Sequence, residues 1–276
     1  MTIKQGTVHY PLRPDFPCMQ QPAAEPHSQV NGDLEVIAMK HTLGIIGGAG
    51  VAATNTLLEL MEVAKLQDGA FRDMHHPEMI ILQATQAPSR SMFLEGRGAS
   101  YIEAYLEAIQ KVRSAGATKI AMCCNTAHWG ISTLEQKSGM PFINVIYEVL
   151  MLVKKTGKKN IGLLASDGCL KGRVYEQYFE KLLPDATLLY PSDQLQREIT
   201  RGICNIKNKS RLLPEDHPDR PRNIFTRVTA KMFDSGADLL IIGCTDIRVD
   251  FKCAHTAIDS LEVLAQCILR DSENEQ

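Results

Sequence analysis

The sequence predicts an α/β protein with parallel-sheet cores, and three observations point there. From Thr42 onward, short aliphatic and β-branched runs alternate with longer amphipathic ones, as when strands exchange with crossover helices. Serines and glycines punctuate the joints. The pattern also occurs twice: TLGIIGG at 42–48 is answered by NIGLLAS at 160–166, and SAGATKIAMCCNT at 114–126 by DSGADLLIIGCT at 234–245.

Taken in order, the apolar runs place strands at 42–46, 78–83, 118–122, 160–164, 186–189 and 238–242. Helical periodicity fills 51–66, 98–115, 126–138, 145–156, 170–182, 193–207, 222–235 and 260–270. Ser100 or a neighbour, Ser192 and Ser260 are N-cap candidates, and Gly116, Gly157 and Gly236 follow helix ends. Residues 208–222, with three prolines and several charges, read as a surface loop.

The repeat has a measurable period. Gly44 to Cys124 is 80 residues and Gly162 to Cys244 is 82, while Gly116 to Cys124 and Gly236 to Cys244 are both 8. A duplicated α/β unit follows, giving two pseudo-symmetric, Rossmann-like lobes with a cleft between them. The expected boundaries are 41–149 for the N-terminal lobe and 150–255 for the C-terminal lobe, with the last helix, 256–276, returning to the first.

Composition narrows the partners. Of 276 residues, 30 are Lys or Arg and 32 are Asp or Glu, and no block of like charge offers a nucleic-acid or anionic-membrane surface. No apolar run approaches the roughly 20 residues of a membrane helix. Small molecules and self-association remain as partner classes. Residues 1–40 hold five of the 13 prolines and no apolar periodicity, so an unstructured or arm-like extension is expected. They show neither a secretory core nor a clear transit pattern. Cysteines at 18, 123, 124, 169, 204, 244, 253 and 267 are expected as free thiols of a cytoplasmic protein. Cys124 and His128 have helical spacing for a metal, but no second pair completes a site, so no metal is expected.

Each half ends a strand at a cysteine, and ligands of open α/β sheets bind beyond the carboxyl ends of strands. Cys124 and Cys244 then face one another across the cleft. Asn125-Thr126 and Thr245 follow them where a helix N-terminus is expected to begin, and the unpaired backbone N–H groups there favour a carboxylate or a thiolate. Inverting a carbon centre requires one base to take a proton from one face while an acid returns one to the other. Two thiols suit this, since a cysteine pKa of about 8.5 is readily moved toward working pH.

CNTAH at 124–128, GCTDI at 243–247 and GIIGGAG at 44–50 resemble the three signature segments of the cofactor-independent aspartate/glutamate racemases, and the similarity extends over about 41–270. The resemblance implies a two-lobed, commonly dimeric enzyme that uses no pyridoxal phosphate or other cofactor, with Cys124 and Cys244 as catalytic acid/bases. It further implies that Gly48, Asn125, Thr126 and Thr245 hold the substrate near its α-carbon. By the same resemblance, Arg90 of Ala-Pro-Ser-Arg and Lys207 of ICNIK grip the distal carboxylate. His128 and Asp246 are positioned to tune the thiols.

The sequence departs from that pattern at Gly47-Gly48-Ala49-Gly50-Val51, at Ser89 beside Arg90, at Asp246 after the second Cys-Thr, and at Cys123. Asp246, where glutamate racemases carry histidine, favours aspartate over glutamate as substrate. Two rivals stand beside this reading. One is a racemase or isomerase of another small acid in the same superfamily; the other is a silent carboxylate-binding protein. Gly48-Ala49-Gly50-Val51-Ala52-Ala53 also matches a dinucleotide fingerprint, but the following strand ends at Gln83-Ala84-Thr85 without the acid that would hold a ribose.

Overall fold

The computed structural model describes residues 42–273; the expected extension over 1–40 lies outside them, as does Cys18. One parallel sheet contains β1 (Thr42–Gly47), β2 (Met79–Gln83), β3 (Ala117–Met122) and β4 (Phe142–Ile143), in the order β2-β1-β3-β4. The second contains β5 (Asn160–Leu164), β6 (Thr187–Leu189), β7 (Leu239–Ile242) and β8 (Ala257–Asp259), in the order β6-β5-β7-β8. The two orders are the same, with β1 answering β5 and β3 answering β7. All pairings are parallel, for example Ile45 with Ala121 and Leu163 with Ile241.

The repeat seen in the sequence is a packing requirement. Gly44 and Gly162 sit at equivalent points of the two central strands. A Cβ on Gly44 would come within 2.9 Å of Ala117 and Val112, and one on Gly162 within 2.6 Å of Leu240. Only glycine lets the neighbouring strand and the helix that precedes it close over these positions.

The helices are α1 (Val51–Gln67), α2 (Arg90–Leu94), α3 (Ile102–Ser114), α4 (Ile131–Ser138), α5 (Val145–Thr156), α6 (Asp167–Lys171), α7 (Glu176–Leu182), α8 (Asp193–Ile206), α9 (Pro221–Asp234) and α10 (Ser260–Glu273). A shared apolar layer joins inner faces of both sheets to α1, α5, α7 and α10, with Ile45, Leu57, Val149, Leu163 and Leu264 fully buried. Each such side chain contributes about 1.5–3 kcal/mol relative to exposure. A second layer packs α3 and α4 on the outside of the first sheet, and a third packs α8 and α9 on the second. The last helix lies against α1 and α5. No helix among the described residues is long and apolar enough to cross a membrane.

Several local expectations are corrected. The helix expected over 98–115 begins only at Ile102, and the short α2 precedes it; Gly96, with φ of +76°, separates the two. The helix expected over 170–182 is divided into α6 and α7, where Arg173 takes a positive φ of 51°. Residues Thr126–Gly130 form a 3-10 turn before α4, so the expected helix at 126 starts later. Ser192 accepts from Leu195 N and caps α8, but Ser260 is the first residue of α10 and Asp259 caps it, accepting from Leu261 N at 2.8 Å. Pro221 belongs to α9 rather than to the loop before it. Strands β4 and β8, of two and three residues, are additional to those expected.

Candidate active site

The carboxyl ends of β3 and β7 open into one cavity of about 260 Å³. Cys124, two residues beyond β3, and Cys244, two beyond β7, both line it. Each thiol is therefore carried by the same structural position of a different sheet.

Their surroundings differ in charge. Arg90 opens α2, whose N-cap Ser89 accepts from Met92 N. Its guanidinium donates from Nη1 to Pro88 O at 3.1 Å and from Nη2 to Ala49 O at 3.0 Å, leaving Nε buried without a partner. Burial opposes the Arg90 charge, but the neighbouring Cys124 sulfur, then Tyr105 and Asp246, outweigh it and keep the group protonated. Cys244 instead has a carboxylate beside it, with Sγ 4.0 Å from Asp246 Oδ2. Burial foremost, and then Asp246, push the Cys244 thiol well above the ordinary range, while Lys207 works in the opposite direction. Cys244 is thus held as a thiol.

Lys207 caps the C-terminus of α8 and bridges two parts of the site. Its Nζ lies 2.9 Å from Asp246 Oδ2 and donates to Ala49 O at 3.1 Å. Burial lowers its proton affinity, but Asp246 and then Cys244 more than compensate. Asp246 is held in place by Gly50, because a Cβ there would lie 1.9 Å from Asp246 Oδ1. This is also the surface a bound pyrophosphate would approach in a dinucleotide fold, and here the carboxylate occupies it.

Most of the other expected site residues are held by bonds to the other half of the chain. Asn125 is buried, donates from Nδ2 to Ser260 Oγ at 2.8 Å and accepts from Tyr175 OH at 2.8 Å. Thr126 Oγ1 and Ser166 Oγ are 3.0 Å apart, so one hydroxyl donates to the other and the second keeps a proton for a ligand. Thr245 donates to Cys123 O at 3.4 Å. His128 is buried, with Nδ1 2.8 Å from Cys124 O. Burial lowers its pKa, so it reaches the thiol through the backbone as a neutral ring.

Gly48 N–H donates to Thr54 Oγ1 at 3.0 Å, and it is the next residue, Ala49, that lines the cavity. Sequence reasoning also missed Ser166, Asp167 and Thr200 in the lining. A signal was present: Ser166-Asp167 follows NIGLLA at the position where Gly48-Ala49 follows TLGIIG, so the repeat itself points them into the cleft. The seven described cysteines are free. Among the described residues, no three His, Cys, Asp or Glu side chains form a metal-ligand group.

Comparison with known proteins bears on the family and the fold. The family model described as Asp/Glu/Hydantoin racemase matches residues 44–268. A broad specificity amino-acid racemase from Bacillus subtilis (strain 168) is 21% identical over 210 residues, spanning 75% of this chain and 86% of the relative. The structure of Picrophilus torridus aspartate racemase aligns with a TM-score of 0.71 at 23% identity, covering 84% of this chain and 94% of that one. Glutamate racemase isoform RacE1 from Bacillus anthracis aligns at 0.59 and 15% identity, covering 85% and 84%. At these identities the structural likeness speaks for the fold.

Proposed function

Because the chain belongs to the Asp/Glu/hydantoin racemase family, we propose that it racemises a free acidic amino acid, aspartate in the first instance, by proton transfer between Cys124 and Cys244. The observation that carries this reading is the placement of the two thiols, from equivalent strand ends of two sheets, in one small cavity. One sulfur starts as thiolate and the other as thiol, and the two exchange roles with the handedness of the substrate.

The substrate's α-hydrogen passes as a proton to one sulfur, leaving the electron pair delocalised into the α-carboxylate. The other sulfur delivers its proton to the opposite face. One thiol and one thiolate are present before and after, with their places exchanged, so no net oxidant, reductant or proton is consumed. The free hydroxyl proton of the Thr126–Ser166 pair and the polar groups near Thr245 suit the α-carboxylate, whose negative charge grows as the carbanion forms. Arg90 and Lys207 suit the distal carboxylate. The same reading fits a cytoplasmic enzyme, since a reducing compartment keeps both sulfurs free, and the family resemblance adds a homodimer.

The test is incubation of L- and D-aspartate in D2O with the wild type, Cys124→Ser and Cys244→Ser, following α-deuterium and chirality. The wild type is expected to incorporate deuterium and form the opposite enantiomer, and both variants to lose racemisation. No exchange with aspartate or glutamate would sink the reading, and dependence on added pyridoxal phosphate would sink the mechanism.

A further inference from the structure

Three carboxylates line the cavity, and they are not equivalent. Glu95 is paired with Arg97, whose Nε donates to it at 3.0 Å, and also accepts from Ser91 Oγ at 2.8 Å. Asp246 is paired with Lys207. Asp167 has no ion-pair partner among the described residues and is held by neutral donors, Gln196 Nε2 at 2.6 Å on Oδ1 and Thr200 Oγ1 at 2.8 Å on Oδ2.

The clamp on Asp167 has a cost. Gln196 Nε2 also donates to Ala165 O at 3.1 Å, and its Oε1 is left buried without a partner. The opposite amide orientation would aim an oxygen at two acceptors, so the observed one is required. The second lobe thus fixes a carboxylate at the cavity wall with neutral groups, leaving its charge available. Arg97 feels the Asp167 carboxylate, but it is already hydrogen-bonded to Glu95.

The three cavity cations follow the same accounting. Arg97 and Lys207 are taken by Glu95 and Asp246, while Arg90 donates to two backbone carbonyls beside the Cys124 sulfur and has no carboxylate partner among the described residues. Arg90 is therefore without a carboxylate partner and Asp167 without a cationic one. Both line the same cavity, and the segments that carry them meet there: Gly168 N, next to Asp167, donates to Ser91 Oγ, next to Arg90, at 2.9 Å.

Building on the racemase reading, we propose that Asp167 receives the substrate's ammonium group, so that Asp167 and Arg90 together select a zwitterion over the corresponding acid without an amino group. The carboxylate reads the ammonium from one lobe while the guanidinium reads a carboxylate from the other. The nitrogen is thereby fixed, and the α-hydrogen is restricted to the axis between the sulfurs. This makes Asp167 a residue of amino-acid specificity.

The experiment measures binding of L-aspartate and of succinate, its analogue without nitrogen, to the full chain by calorimetry, in the wild type, Asp167→Asn and Thr200→Val. Asp167→Asn is expected to weaken aspartate about 10-fold or more, as a charge-assisted bond to the ammonium becomes a neutral one, and to leave succinate unchanged or tighter. Thr200→Val, which frees the carboxylate without removing it, is expected to give a smaller loss of the same selectivity. It also serves as the test if Asp167→Asn does not fold. Equal losses for both ligands, or none, overturn the assignment. Deuterium exchange by the wild type with unchanged aspartate binding in Asp167→Asn overturns this inference alone. Selective loss of aspartate binding without exchange in the wild type overturns the racemase reading alone. Absence of amino-acid binding overturns both.

Discussion

Arg90 and Lys207, 117 positions apart in the chain, donate to the same carbonyl oxygen: Ala49 O accepts from Arg90 Nη2 at 3.0 Å and from Lys207 Nζ at 3.1 Å. The loop after β1 is thus the point at which cations from two lobes are brought into register. Arg90 needs two arms for this, one on Pro88 O and one on Ala49 O. Arg90→Lys keeps the charge but cannot span both carbonyls. It is expected to lower kcat/KM by about 10- to 100-fold, mainly through KM, with little change in Tm. Steady-state kinetics beside a thermal melt check this, and an unchanged KM would remove Arg90 from substrate binding.

Gly50 and Asp246 are fitted to each other. A methyl group on Gly50 would lie 1.9 Å from Asp246 Oδ1 and 2.8 Å from its Cγ, so Gly50→Ala must displace the carboxylate from Lys207. The extended backbone at Gly50, with φ of −157°, accepts alanine without strain, so the loss comes from the clash. We expect destabilisation of about 1–3 kcal/mol. In Gly50→Ala/Asp246→Ala the added cost of the Gly50 change should largely disappear. Urea unfolding of the four proteins gives the coupling energy, and additive losses would contradict the fit.

The fold was legible largely because its central strands are buried on both faces. Such strands appear as unbroken apolar runs, LGII, NIGLL and LLII, and their glycines repeat because strand contacts demand it. β4 and β8 were not legible, since two and three residues carry no periodicity. Ser260 and Asp259 are both good caps by type; only tertiary structure shows that Ser260 Oγ is engaged with Ile242 O and Asn125. In the cleft, cysteines at strand ends announced themselves through the repeat. Asp167 did not, because Ser-Asp before an apolar stretch also reads as an ordinary helix start. Its clamp by Gln196 and Thr200 comes from a helix about 30 positions away. Gly48 was placed in the cavity by motif, whereas the hydrogen bond to Thr54 turns its N–H away.

The carboxylate beside Cys244 has a consequence for pH dependence. The proposed reaction needs one thiol and one thiolate, so kcat/KM should be bell-shaped, failing on the alkaline side when the second sulfur loses its proton. Burial and Asp246 push the Cys244 thiol up, which places that alkaline limit high. Asp246→Asn removes the negative neighbour and frees the Lys207 charge, and both changes favour the thiolate. The limb should therefore move to lower pH in the variant. Because the two enantiomers are equal in energy, the kcat/KM profile is the same from either one, and a single direction suffices. An alkaline limb that stays in place would dissociate Asp246 from the titration of Cys244.

Asp259 supplies a stability measurement independent of catalysis. It caps α10, Oδ1 accepting from Leu261 N at 2.8 Å and Glu262 N at 3.4 Å, with its side chain 12% exposed. Burial, the largest influence, raises its pKa from the ordinary 3.8 to about 7; the capping N–H groups and Arg248 oppose this, and Glu262 adds to it. A carboxyl group with a raised folded-state pKa stabilises fully below its unfolded value, and that contribution is lost as pH rises through the folded value. The stability of the wild type relative to Asp259→Asn, whose side-chain oxygen still accepts the capping bonds, should therefore fall between about pH 4 and pH 7 and level off above. Urea unfolding of the two proteins at stepped pH isolates this group, because the other carboxylates are common to both. Parallel pH profiles would show that Asp259 is ionised in the folded protein at the same pH as in the unfolded chain.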